Sequence, residues 1–227
     1  MSEGLGMPEA RHERKRAARY TPDSIATPDL IDAEHMSEMP ELIPLEAYPP
    51  YLFSCGADEQ QEFLLERAVP EQEEELSRTY LAQLHGMVVG YFTLAMDAIE
   101  LEASVPRPAA MPTRRLPAIR LVHLAVDDQW ERRGIGKMLV AAAIAAALET
   151  RAQVGCRYLT LDARTPSLAT WFARQGFVVN GVDETARRAL AAERGIDVAA
   201  IPASMRLDLQ HLVADLTADL AESDAEE

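Results

Sequence analysis

The stretch from residue 121 to residue 139 constrains this chain more than any other, because it reads as strand, glycine turn and helix in immediate succession. An apolar, β-branched run over 119–126 leads into Asp127-Asp128, then Arg132-Arg133-Gly134-Ile135-Gly136-Lys137, then a long Ala/Leu/Ile/Val segment that continues to about residue 152. A helix entered through glycines leaves its first backbone amides unpaired and lets a ligand approach the main chain closely. Those amides attract an anion, and phosphate fits them. Arg132, Arg133 and Lys137 add positive charge at the same point, in a form that suits the paired oxygens of a pyrophosphate.

The rest of the chain supplies a sheet for this unit. Residues 78–84 alternate as a strand, His85-Gly86 turns, and residues 87–95 return, which predicts a β-hairpin. Residues 58–68 carry Phe63, Leu64 and Leu65 among acidic side chains and predict an amphipathic helix. A Pro-rich connection over 98–115 is expected to border a substrate groove. Beyond the central helix, whose alanine-rich surface predicts burial on more than one side, come a strand over 157–163 and a helix opened by Pro166 and closed by Gly176. A short strand over 177–179, a helix over 183–194 and a strand over 205–209 complete the order. The fold class is α/β: a mixed central sheet with helices on both faces.

Charge narrows the partners. The 227 residues hold 22 Lys and Arg against 37 Asp and Glu, a net charge of −15 that argues against general affinity for nucleic acid or an anionic membrane. The distribution is uneven: residues 20–75 contain fifteen acids and one base, whereas residues 107–174 contain eleven bases and five acids. No uncharged apolar run is long enough to span a bilayer, and the basic start, Arg11 to Arg19, has no apolar segment behind it, so a cytoplasmic location is expected. That basic start reads as a solvated tail, with RNA contact as the alternative. Three regions are expected: an N-terminal arm over 1–45, one catalytic domain over 46–212, and an acidic tail over 213–227.

With these elements in place the chain resembles the GNAT (Gcn5-related) N-acetyltransferase superfamily. The resemblance rests on Leu124-Ala125-Val126-Asp127, the turn Arg132 to Lys137, Leu161-Asp162-Ala163, and Trp171-Phe172-Ala173-Arg174-Gln175-Gly176-Phe177. It implies a sheet split in a V between two parallel strands, with acetyl-coenzyme A as co-substrate in the split. Leu124 and Val126 would bond the pantetheine, and Arg132, Arg133, Gly134, Ile135, Gly136 and Lys137 would hold the pyrophosphate. Thr165 stands where many members use Asn, Phe172 where the family usually has the Tyr that protonates the leaving thiolate, and Glu131 where Gln or Arg is usual.

Within the superfamily the pattern is most similar to the acetyltransferase toxins of bacterial toxin–antitoxin pairs, through Phe53-Ser54-Cys55-Gly56, Ser77-Arg78-Thr79-Tyr80, residues 88–94 and Leu116-Pro117. The principal expectation is N-acetyl transfer to a primary amine of a small molecule or protein. The alternatives are an acyl-coenzyme A-binding module with weak catalysis, suggested by Phe172, and a toxin that acetylates aminoacyl-tRNA. The toxins are commonly basic, so the acidic charge weighs against tRNA without removing it as a partner; a homodimer is compatible with the pattern.

His123, on the opening strand, is the candidate base, with an ordinary pKa near 6.5. Alternation along the strand gives the competing reading, a histidine turned away from the cofactor. Tyr158 and Tyr91 are candidate acids or packed aromatics, Trp130 is a partly exposed packing residue, and Cys55 and Cys156 read as structural thiols. No His, Cys, Asp or Glu cluster has metal-ligand spacing, so no metal is expected.

Overall fold

The computed structural model describes residues 39–46, 53–102 and 115–214. Seven strands form one sheet in the order β1-β2-β3-β4-β5-β7-β6. They are β1 (Glu41–Pro44), β2 (Arg78–Leu84), β3 (Met87–Glu100), β4 (Arg115–Val126), β5 (Tyr158–Ala163), β6 (Val178–Val179) and β7 (Ala203–Asp208). Every pairing is antiparallel except β4 with β5, which is parallel. The hairpin β2–β3 turns through His85 and Gly86 at φ 50° and 77°, left-handed values that suit the tight connection.

One irregularity shapes the molecule. Thr93 pairs with His123 but its neighbour Leu94 pairs with Leu121, so Val122 bulges out of β4. Before the bulge, Ile119 and Leu121 enter the larger core beneath α3 (Ile135–Val154) and α4 (Pro166–Ala173). After it the even residues Leu124 and Val126 face that side, while Ala125 joins the second core beneath α1 (Asp58–Glu62) and α2 (Ala68–Glu73). Pairing with β5 also stops there: it runs from Ala118–Tyr158 to Leu121–Leu161, although β4 continues to Val126 and β5 to Ala163. Two parallel strands that part company in this way leave a V-shaped opening.

Helix α3 buries Ile135, Leu139, Val140, Ala143 and Ala147 fully, and Met138, Ala142, Ile144, Ala146 and Leu148 pack partly buried against the same core, so more than one side of the helix is covered. Alanine is a strong helix former with little surface to hide, so Ala141 and Ala145 stay exposed at small cost. The predicted helix over 58–68 is real but longer, because α1 runs through a π-helical segment, Phe63–Arg67, into α2. Helix α5 (Gly181–Arg194) ends at Gly195 in the left-handed conformation.

The sheet starts earlier than expected: β1 falls within the segment read as an N-terminal arm and pairs with β2 from Glu41–Gln83 to Pro44–Tyr80. Four residues show too little periodicity to declare a strand, and only the open edge of β2 gives them partners. Residues 1–38, the prolines of the 103–114 connection, and the tail from 215 onward lie outside the described residues. Among the described residues no helix is long and apolar enough to cross a membrane.

Candidate active site

The V between β4 and β5 opens into a groove of about 930 Å³. Its floor is apolar, from Leu121, Leu124, Val126 and Leu161, with Leu168, Trp171 and Phe172 of α4 on one side. At its mouth stands the first turn of α3. Arg132 at φ 60° and Gly134 at φ 87° wrap the chain into the helix, and the first amide bonded back within it is that of Met138, to the Gly134 carbonyl at 3.1 Å. The amides ahead of it have no helical partner and present partial positive charge. Arg132, Gly134, Gly136 and Lys137 line the groove, with Glu131 beside them. A Cβ on Gly136 would meet only the Trp171 ring and Val126 at 3.7–3.8 Å, so this face of the helix lies bare against the groove.

Close seating of α3 depends on another glycine. A Cβ on Gly90 of β3 would stand 2.9 Å from Leu139 Cδ1 and 3.0 Å from the Ala125 carbonyl oxygen. Only a residue without a side chain lets the first turn of α3 approach the sheet so near the end of β4.

The opposite wall comes from the segment preceding α1. Asp127, buried at the end of β4, accepts from the Ser54 amide at 3.0 Å and caps the following 3₁₀ turn through the Gln129 amide, also at 3.0 Å. Asp128 accepts from the Gly56 amide at 2.8 Å and the Ser54 hydroxyl at 3.1 Å. Cys55, Gly56 and Ala57 are thereby fixed along the groove. Burial pushes the Cys55 thiol above its usual pKa, so it is protonated at neutral pH. Across the top, Arg164 at the end of β5 pairs with Glu59 of α1 at 2.6 Å.

Several predicted residues sit elsewhere. Ile135 points into the core and Arg133 stacks over Trp130, 4.8 Å from the ring, so neither side chain lines the groove. Trp130 is buried, not partly exposed, because that arginine and the core enclose it. Thr165 is the N-cap of α4, accepting from the Leu168 amide at 3.2 Å and bonding Ser167 at 2.9 Å; its hydroxyl serves the helix.

His123 does not reach the groove. The bulge turns it onto the α1 side, where it stacks on Phe63 at 3.6 Å between ring centroids and lies 2.7 Å from Gln60 Oε1. Desolvation lowers its pKa to about 4, so it is neutral at pH 7. Tyr91 packs between Phe53 and Phe63, and Tyr158 lies in a separate cluster with Leu101 and Leu116; burial pushes both phenols up. Both cysteines are free and buried, Cys156 in the core. Among the described residues no His, Cys, Asp and Glu group is arranged to hold a metal.

Among the groove residues that escaped the sequence reading are Gln60, Arg164 and Trp171. Trp171 lay inside the quoted helix motif, and only the direction of its side chain was hidden. Gln60 and Arg164 carry no local signal, because the α1 packing and the strand divergence that bring them to the groove are long-range.

The arrangement suits a long ligand with an anionic end, an apolar extended arm and a reactive tip. A family model described as Acetyltransferase (GNAT) domain matches residues 75–179. The tRNA-acetylating toxin of Mycobacterium tuberculosis (strain ATCC 25618 / H37Rv) is 25% identical over 131 residues, which cover 58% of this chain and 79% of that protein. Among solved structures, AtaT complexed with acetyl-methionyl-tRNAfMet superposes with a TM-score of 0.62 at 19% identity, covering 78% of this chain and 98% of that one. A tyrosine-to-phenylalanine mutant of the AtaT toxin, bound to the C-terminus of the antitoxin AtaR and acetyl-CoA, superposes with a TM-score of 0.59 at 20% identity, covering 79% and 99%. The split sheet and the glycine turn fall within residues 75–179, the part of the chain that matches the GNAT acetyltransferase domain model.

Proposed function

We propose that the protein transfers acetyl from acetyl-coenzyme A to the amino group of aminoacyl-tRNA, as a toxin of the kind its relative represents. The observation that carries this reading is the similarity to the tRNA-acetylating toxin, which spans most of that protein's length. It favours tRNA over the small-molecule or protein amine that the acidic charge suggested. The groove is less acidic than the chain as a whole, with Arg132, Lys137 and Arg164 beside Glu131 and Asp162 against a net charge of −15.

The groove fits acetyl-coenzyme A. The unpaired amides at the start of α3, with Arg132 and Lys137, would hold the pyrophosphate, and the backbone of Leu124 and Val126, freed where β4 leaves β5, would bond the pantetheine. The bound thioester supplies the acetyl group. Holding it beside the amine supplies much of the rate. Phe172 lines the groove with its ring edge-on to Trp171 and Phe177 and has no proton to give the departing thiolate.

Labelled acetyl-coenzyme A incubated with charged tRNA tests the reading: label in the tRNA fraction and growth arrest on expression are expected. Harmless expression with unlabelled tRNA would overturn it. Phe172 favours a second reading, a cofactor-binding module with slow turnover. Under it, wild type binds acetyl-coenzyme A without transfer and Phe172→Tyr gains activity.

A further inference from the structure

We propose that the side-chain amide of Gln60 donates a hydrogen bond to the carbonyl oxygen adjoining the acceptor's amine, and that His123 positions it. The inference rests on the proposed acyl transfer to an aminoacyl group and assigns the wall of the groove that reads it.

Gln60 is only 8% exposed, yet it lines the groove. Its Oε1 faces the packed side, 2.7 Å from His123 Nδ1 and 3.4 Å from the Tyr91 hydroxyl. The Tyr91 hydroxyl also donates to the Gln60 backbone carbonyl at 2.6 Å, which pins this turn of α1 to the sheet. The single proton of the Tyr91 hydroxyl is committed to that backbone carbonyl, and burial keeps the imidazole uncharged; since Oε1 can only accept, the contact places the ring proton on Nδ1. That one donor, at 2.7 Å, fixes the amide's orientation, oxygen inward and nitrogen outward. Phe63, stacked on the imidazole, holds the ring in turn.

The outward nitrogen carries two N–H groups, and among the described residues neither has a hydrogen-bond partner. Nor is it sealed from solvent, since the buried side-chain polar atom left without a hydrogen bond among those residues is Glu102 Oε2. Gln60 is a lining residue of the groove, and with its oxygen turned to His123 the geometry leaves the nitrogen for the groove side. A nearly buried amide held by three aromatic side chains, with its donors left over, is complementary to a ligand oxygen.

Chemistry selects which oxygen. The α3 turn stands across the floor that Leu124 and Val126 form, so Gln60, on the α1 wall, is on the side left to the acceptor. An attacking amine must be neutral, and an amide binds the neighbouring carbonyl without stabilising the ammonium form as a carboxylate would. The acceptor class is an amine flanked by a carbonyl, as in an aminoacyl ester.

The test compares wild type with Gln60→Leu and Gln60→Glu as full chains. Transfer to aminoacyl-tRNA is measured by steady-state kinetics and acetyl-coenzyme A affinity by calorimetry. Gln60→Glu keeps the shape and the acceptor for His123 but removes the donors, so it remains informative if the leucine variant folds poorly. A loss of roughly tenfold in kcat/KM for aminoacyl-tRNA is expected, the equivalent of one neutral hydrogen bond, with cofactor affinity held within about twofold. Unchanged acceptor kinetics, or cofactor affinity falling in parallel, overturns the assignment. Absence of transfer by wild type instead overturns the reading of function beneath it.

Discussion

Replacing Gly90 with alanine tests the central geometric claim, that the anion-binding end of α3 is seated by a missing side chain. The new Cβ would meet Leu139 Cδ1 at 2.9 Å, the Ala125 carbonyl oxygen at 3.0 Å and Ile135 Cγ2 at 3.4 Å. Leu139 is fully buried and the carbonyl belongs to β4, which pairs with β3 at Gly90–Val126, so neither can swing aside. The first turn of α3 must lift. Overpacking of this kind costs about 1–3 kcal/mol, offset by roughly 0.5–1 kcal/mol from the lower chain entropy of unfolded alanine. A net loss of about 1–2 kcal/mol corresponds to a fall in Tm of roughly 2–8 °C for a domain of this size. Urea unfolding followed by circular dichroism reads the stability, and calorimetry reads acetyl-coenzyme A. Weaker cofactor binding should accompany the loss, since the amides move with the turn. Stability within about 0.5 kcal/mol of wild type and unaltered affinity would refute the reasoning.

Three further outcomes follow from the same geometry. Arg132→Glu should weaken acetyl-coenzyme A binding more than Arg133→Glu, because Arg132 lines the groove while Arg133 stacks on Trp130; calorimetry giving the reverse order would misplace the pyrophosphate. Asp127→Ala should destabilise by roughly 1–3 kcal/mol in thermal melts by orphaning the Ser54 and Gln129 amides, and a neutral effect would mean that the wall before α1 is held by other contacts. His123 has a folded pKa of about 4 against an ordinary value near 6.5, so as pH falls the unfolded chain takes up this proton first. Its contribution is therefore intact above pH 6.5, declines between 6.5 and 4, and is flat below, a loss on the order of 3 kcal/mol that His123→Phe should remove from the pH dependence of urea midpoints. An identical pH slope in that variant would show that the ring is not buried neutral.

Legibility from sequence tracked the range of the interactions. The β2–β3 hairpin, α3 and the Gly134 turn were readable because alternation, the 3.6-residue period and glycine punctuation are local properties. The true start of β4 at Arg115 and the extension of β3 to Glu100 were not, since those ends are held by pairing with one another, from Glu100–Arg115 to Met96–Ile119. His123 shows the limit most clearly. Alternation raised the prospect that it turned away from the cofactor, but the face it occupies was set by the Val122 bulge, a mismatch between two strands that neither strand alone reveals.

By itself the sequence determined an α/β domain with a glycine-entered helix after an apolar strand, cations at that turn, and a phenylalanine where a proton donor is usual. Tertiary structure decided the rest: where β4 leaves β5, which wall each side chain joins, and how Gln60, Arg164 and Trp171 come to share one groove. The physical reason is that local propensity depends on neighbours along the chain, whereas a site forms where packing brings distant segments together, and only the folded backbone specifies those distances.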